Sequence, residues 1–390
     1  MNFDEVIDRR NTHSSKWDHM EPLYGVSRDE GMAMWVADMD FRPPACVQSV
    51  VEKMHEHGMY GYYGDEKSYL DAICWWMETR HNWHVDPDWI VTTHGLLNGM
   101  AMCVDSFTQP GDGIILLTPV YHSFFRVLNA SGRQITECPL ALVSGRYELN
   151  FDAWEEQLTG SEKMLVLCSP HNPGGRVWDH KELTQIAEFA IRHDLILVSD
   201  EIHHDLTFPG QKHIPMTKID ANITDRLVMM TATTKTFNIA GAHTGNVIIA
   251  DPCLRSTFKH RMTALGLSPN RFGPLMAEAA YSPEGAAWLD QLMRYLGNNR
   301  NLFDATIAEI KGATSMPLEA TYLGWVDFSG TGMTPKECIA RVEKKAQIAV
   351  NHGATFGTAG QNYLRFNFAM PLNQLEKACV RLSAAFNDFQ

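Results

Sequence analysis

Positive charge is what this sequence is short of. Its 390 residues carry 33 Lys and Arg against 46 Asp and Glu, a formal net charge of −13 at pH 7. Phosphate backbones are bound by basic surfaces, so nucleic acid is not an expected partner, and the acidic balance reads as a soluble surface. No C-x-x-C pair occurs among the eight cysteines, and most of them lie in apolar runs such as the one ending at Cys168. That pattern reads as buried thiols in a reducing compartment rather than a disulfide framework. The opening MNFDEVIDRR lacks a basic stretch followed by an apolar one, and no apolar run has the length to span a bilayer. The expected location is therefore the cytoplasm, with no membrane partner. P-loop, G-x-G-x-x-G and H-E-x-x-H patterns are also missing. The close histidines (His203 with His204, His55 with His57, His81 with His84) lack zinc-site spacing, so no metal is expected.

What is present is a regular alternation. Short apolar runs at 90–93, 114–117, 134–138, 164–168, 195–199, 227–231 and 246–250 read as strands. The run at 195–199 is apolar on both faces, as in a strand covered by helices on each side. Amphipathic stretches such as 181–193 lie between them, which predicts an α/β domain with a mostly parallel sheet. After about residue 282 the pattern changes to one long helical stretch (285–310) and two strand candidates, 322–328 and 363–368. The expected organisation is an N-terminal arm, 1–45, that packs on the small domain, a large domain, 46–282, and a small α+β domain, 283–390.

In a doubly wound sheet, ligands bind beyond the carboxyl ends of the strands, so the polar residues that follow each strand are the candidates. They are Thr93-His-Gly95-Leu-Leu-Asn98, Pro119-Val-Tyr121, Ser169-Pro-His-Asn172-Pro-Gly-Gly175, Asp200-Glu-Ile-His203 and Thr231-Ala-Thr-Thr-Lys235-Thr-Phe-Asn-Ile-Ala-Gly241. Asp200 ends an apolar strand, where an unpaired carboxylate is costly. Gly95, Leu96 and Leu97 open a helix directly after a strand, which presents backbone N–H groups to an anion. Asn172 stands in an Asn-Pro-Gly stretch that is also good turn chemistry by itself. Arg365 sits in a small-domain strand between Leu364 and Phe366, placed either for a carboxylate ligand or for a structural salt bridge.

The strings SPHNPGG, SDEIH and TKTFNIAG, in this order and spacing, resemble fold-type I enzymes of the aspartate aminotransferase superfamily, which depend on pyridoxal 5′-phosphate (PLP). The resemblance runs through essentially the whole chain. DEIH in place of DEIY, together with the early WVADMDF, is similar to the MalY/PatB-type cystathionine β-lyase (cysteine-S-conjugate β-lyase) branch. Five motifs in register are specific, whereas each alone is weak.

The resemblance implies a seven-stranded, mostly parallel large-domain sheet and a role for each matching residue. Lys235 is implied to carry PLP as a Schiff base and later to move a proton. Asp200 is implied to face the pyridine nitrogen, and Asn172 the phenolic oxygen. Tyr121 is implied to stack on the ring or to act near Cα. Gly95, Leu96, Leu97, Thr233 and Thr234 are implied to hold the phosphate, with Tyr62 reaching it from the partner subunit of a homodimer (Tyr63 being the alternative). Arg365 is implied to clamp the α-carboxylate of a small amino-acid substrate. His203 is either a contact to the cofactor oxygen or structural, and Asp38, with Trp35 and Asp40, helps shape the substrate pocket.

Two positions depart from the mainstream aminotransferase pattern. His243 stands where many carry a phosphate-binding arginine, and Ala232 where serine is common. Loss of the arginine agrees with the lyase branch and leaves open whether His243 touches phosphate. The implied activity is α,β-elimination on a cysteine S-conjugate such as cystathionine, giving pyruvate, ammonia and a thiol. An aminotransferase of class I/II uses the same early steps and is the alternative. A PLP-binding regulator without turnover is a third reading, disfavoured by the acidic charge.

Overall fold

The computed structural model describes residues 1–389. Seven strands form the large sheet: β1 (Ile90–Thr93), β2 (Gly113–Thr118), β3 (Gln134–Pro139), β4 (Glu162–Cys168), β5 (Ile196–Asp200), β6 (Leu227–Thr231) and β7 (Gly245–Ile248). Their spatial order is β1-β7-β6-β5-β4-β2-β3. The run from β6 to β3 is parallel, whereas β7 is antiparallel to both of its neighbours. The sheet agrees with the seven strands read from the sequence, with shifts of one or two residues at their ends.

Alternate residues of the central strands enter different cores. Ile115, Leu117, Leu165, Leu167, Leu197 and Met229 join one buried cluster. Ile114, Leu116, Met164, Val166, Val198 and Val228 join the other. Successive strand side chains point to opposite faces, so a continuous apolar run fills both layers at once. Each fully buried Leu or Val contributes about 1.5–3 kcal/mol of transfer free energy, which is why this signal dominates the sequence. The flanking helices carry their own start signals. Helix α1 (His180–Arg192) begins with a reciprocal capping box, in which Asp179 accepts from Glu182 N and Glu182 accepts from Asp179 N.

A second sheet holds β8 (Thr314–Ser315), β9 (Leu323–Asp327), β10 (Asn351–His352) and β11 (Tyr363–Asn367), all antiparallel, in the order β8-β9-β11-β10. The long helix Pro283–Ala308 precedes it and starts where Ser282 Oγ accepts from Gly285 N. From the N-terminal segment, Met32 and Ala33 pair in parallel with Ile348 and Ala349, just before β10. No described helix is long and apolar enough to cross a membrane.

Candidate active site

The carboxyl ends of β1, β2, β4, β5 and β6 open onto one cavity of about 170 Å³. Because β7 runs the other way, its amino end, with His243 just before it, arrives at the same edge. Of the residues singled out in the sequence, Gly95, Leu96, Leu97, Tyr121, Asn172, Asp200, His203, Thr234 and Lys235 all line this cavity.

One side of the cavity is built for an anion. The helix Leu96–Phe107 begins there, and its N-cap residue Gly95 offers no side chain to cap it. The first backbone N–H groups are therefore left for a ligand. Gly95 has φ +80°, a left-handed conformation that favours glycine. A Cβ on Gly245 would stand 3.0 Å from Leu96 N, so glycine there keeps the helix entrance clear. Thr233 and Thr234 open the single-turn helix Thr233–Thr236, and the buried Thr233 Oγ1 has no hydrogen-bond partner.

The opposite side is built for a cation. Asp200 is 6% exposed, and its carboxylate accepts a hydrogen bond from Ile202 N at 3.2 Å. Burial pushes its pKa up to about 7, with the Ile202 N–H and the Lys235 charge only partly offsetting that rise. A protonated ring nitrogen is the kind of partner this carboxylate lacks. His203 is also buried, and its Nδ1 has no partner. Burial, reinforced by the charges of Lys235 and Arg365, pushes its pKa down to about 3, so the imidazole is neutral. Lys235 Nζ donates to Ala37 O at 2.7 Å.

Arg365 adjoins the cavity through Asn172. Its Nη1 donates to Asn172 Oδ1 at 2.9 Å, and its Nη2 donates to Trp35 O at 2.9 Å and to Asn351 Oδ1. The guanidinium is buried over the Phe356 ring, with Nε unpartnered. Burial pushes its pKa down to about 10, against the raising effect of Tyr121, Tyr322 and Tyr24. Among the described residues no carboxylate pairs with it, so the salt-bridge alternative for this arginine does not hold.

Several expected residues stand apart: besides Tyr62 and Asp38, the residues Thr233, Trp35 and Asp40 do not line the cavity, Asp40 being paired with Arg9 and Lys16. Tyr62 is fully exposed and far from being enclosed with the others within one chain. Asp38 does not line the cavity: Arg9 grips both its oxygens, at 3.1 and 2.7 Å, because the arm folds back on itself there. Conversely, the Ala37 and Trp35 carbonyls and Asn351 were not anticipated as contacts. The first two lie in WVADMDF, but side-chain identity does not reveal that the backbone makes the contacts. Nothing in the sequence points to Asn351, which reaches Arg365 because β10 pairs with β11 in that register.

Behind the cavity lies a buried polar network. His81, His204 and Asp205 bring ligand-type atoms within 4.8 Å of one another. Asp205 already accepts from Trp76 Nε1, His81 Nε2 and Thr236 Oγ1 at 2.8–2.9 Å. Three of its acceptor sites are thus taken, and the Thr236 bond anchors the residue following Lys235.

The chain matches the family described as aminotransferase class I and II over residues 35–382. It belongs to that family. It is 36% identical to cystathionine beta-lyase PatB of Bacillus subtilis over 390 residues, covering 99% of this chain and 100% of that one. Cystalysin of Treponema denticola, whose crystal structure contains a PLP cofactor, is 35% identical with a TM-score of 0.94, covering 100% of this chain and 99% of that one. The PLP-bound C-S lyase of Staphylococcus hominis is 28% identical with a TM-score of 0.90, covering 99% of each chain. PLP is the cofactor of this protein, and the anion-binding helix start, the lysine and the cation-seeking Asp200 fit its phosphate, aldehyde and ring nitrogen.

Proposed function

We propose that the protein is a PLP-dependent carbon–sulfur β-lyase acting on cystathionine or related cysteine S-conjugates, with pyruvate, ammonia and a thiol as products. The observation that carries the reading is Lys235 in a cavity whose Asn172 is held by the buried Arg365, which has no carboxylate partner among the described residues, in a chain whose full length is shared with PatB and with a PLP-bound C-S lyase. Arg365 offers its free Nε–H, and an Nη2–H now on Trp35 O or Asn351, to an α-carboxylate. That contact orients the substrate amine and Cα toward Lys235. PLP, when bound, supplies an aldehyde that condenses with amines and a ring that takes up the electrons left at Cα.

With PLP bound, Asp200 would keep a proton on the ring nitrogen, Asn172 Nδ2 would donate to the phenolic oxygen, and Tyr121 would cover the ring or act near Cα. His203, being neutral, offers a hydrogen bond without adding charge. Gly95, Leu96, Leu97, Thr233 and Thr234 would hold the phosphate. Lys235 Nζ would take the proton from Cα as general base. Lys235 is the single Lys or Arg lining the cavity among the described residues, so no second cation awaits an acidic side chain. This disfavours a dicarboxylate transaminase.

The same reading makes the protein a homodimer in which Tyr62 reaches the phosphate of the other subunit. The full exposure of Tyr62, beside the exposed Met59 and Tyr60, supports it. It also divides the chain into an arm (1–45), a cofactor-holding domain (46–282) and a small domain (283–390). Eight free thiols support a cytoplasmic setting.

The test is pyruvate and thiol release by PLP-loaded protein from L-cystathionine and other cysteine conjugates. Stoichiometric pyruvate without any 2-oxo acid is expected. Turnover that requires a 2-oxo acid and yields no pyruvate would replace the lyase with an aminotransferase.

A further inference from the structure

One backbone stretch, residues 35–41, runs between the two groups that hold the substrate and the cofactor. Trp35 O accepts from Arg365 Nη2 at 2.9 Å, and Ala37 O accepts from Lys235 Nζ at 2.7 Å. Asn367 Nδ2, two residues beyond Arg365, ties the stretch to the small sheet through Val36 O and Asp38 O at 2.6 and 2.8 Å. On the lysine side the tie is Asn238. Its Oδ1 accepts from Met39 N at 2.9 Å, and its Nδ2 donates to Met39 O at 2.8 Å and Phe41 O at 2.7 Å. Both amide hydrogens and the amide oxygen are engaged on a segment 199 residues away in sequence.

The turn that carries Lys235 needs such a tie. Thr233–Thr236 is a single helical turn, and one turn has too few internal hydrogen bonds to define its own position. From behind it is anchored by Thr236 Oγ1 on Asp205. In front, Asn238 adopts φ +56°, a left-handed conformation that asparagine tolerates better than most residues, and so aims its amide at the arm.

We propose that Asn238 is a positioning residue for the lyase reaction: it clamps residues 39–41 against the lysine turn and thereby holds the Ala37 carbonyl as the resting acceptor for Lys235 Nζ. The proposal rests on the lyase reading for its kinetic consequence, but not for the clamp itself. An amine released from the cofactor loses its covalent tether. A fixed carbonyl within hydrogen-bond reach confines that amine beside Cα while it takes up the Cα proton. Asn238 acts through Ala37 and does not itself line the cavity.

The test compares wild type with Asn238→Gly and Asn238→Asp. Glycine accepts the left-handed backbone without strain, so it removes the clamp alone; aspartate keeps the acceptor for Met39 N and loses both donors. In cofactor-free protein, hydrogen exchange of the peptide covering 34–41 is expected to rise about 10-fold or more in both variants, because aspartate also sets a carboxylate oxygen against the Met39 and Phe41 carbonyls. In PLP-loaded protein, the visible circular dichroism of the bound cofactor should weaken. With L-cystathionine, kcat should fall about 10-fold while KM moves less than about 3-fold, as for an interaction made after binding. Unchanged exchange in both variants overturns the clamp. Faster exchange with unaltered dichroism and kcat, or a change confined to KM, overturns its positioning role. Exchange and dichroism need no substrate, so failure of wild type to release pyruvate would count against the lyase reading and leave the clamp to be decided by those two readouts.

Discussion

Asp200 ends β5 and Asp205 follows five residues later, both are buried, and the protein treats their carboxylates in opposite ways. For Asp205, burial alone would raise the pKa. His204, then His81 and Trp76, reverse that and hold the group well below the usual carboxylate range. Asp200 has one backbone N–H, and burial wins. A buried carboxylate with a full set of donors is scaffold. One left short of donors beside a cavity costs stability, and it persists where a ligand supplies the missing partner. The same distinction sets Arg365, with no carboxylate partner among the described residues, apart from Arg176, which is equally buried but salt-bridged to Glu182 and Glu319.

Neutralising each acid is the strongest way to break this contrast. Asp200→Asn is expected to lower kcat/KM of the PLP-loaded protein by about 10³-fold or more, on the order of 4 kcal/mol. The cofactor-free variant should melt no lower than wild type, because an uncompensated charge has been removed. Asp205→Ala should do the reverse. Stranding the donors Trp76, His81 and Thr236 and leaving His204 without its partner is expected to cost about 3–5 kcal/mol in urea unfolding of the cofactor-free protein. A loss below about 1 kcal/mol would take Asp205 out of the scaffold.

The two acids also drive pH dependence in opposite directions. The folded pKa of Asp200 is raised, so its stabilising contribution is complete below its ordinary 3.8 and is lost as pH rises through about 7. That of Asp205 is depressed, so its contribution is present above the ordinary carboxylate range and is lost as pH falls through the folded value. Urea midpoints of cofactor-free Asp200→Asn should therefore lack the decline that wild type shows between those two values. If the two proteins decline in parallel, another group carries that limb.

Smaller effects sharpen the comparison. Arg365→Lys keeps the charge but loses the planar fork, and KM for a cysteine conjugate should rise about 10²-fold with a lesser change in kcat. A fall in kcat alone would remove Arg365 from carboxylate binding. Thr236→Val takes one of several donors from Asp205 and should cost about 1 kcal/mol. Equality with Asp205→Ala would mean that this single bond carries the network.

Much of the site was legible because it obeys a local rule. Polar residues that follow apolar strands gather at one edge of a parallel sheet, so Asn172, Asp200 and Lys235 were readable from their places in the chain. Asp38 shows where that reasoning stops. Its position beside Trp35 suggested a pocket residue, yet Arg9 claims both its oxygens, an outcome set by how the arm folds back. Tyr62 marks another boundary, since a single chain leaves it in solvent.

Residue order by itself determined the strands, their layers, the carboxyl-end cluster and the family resemblance. Hydrophobic burial acts through near-neighbour periodicity, and periodicity is written locally. Only the tertiary structure decided that the Trp35 and Ala37 carbonyls, Asn238 and Asn351 would link Arg365 to Lys235, and that Asp205 would be satisfied while Asp200 would not. Backbone carbonyls have no sequence identity, and a hydrogen bond between residues two or three hundred positions apart exists only once packing has brought them within about 3 Å.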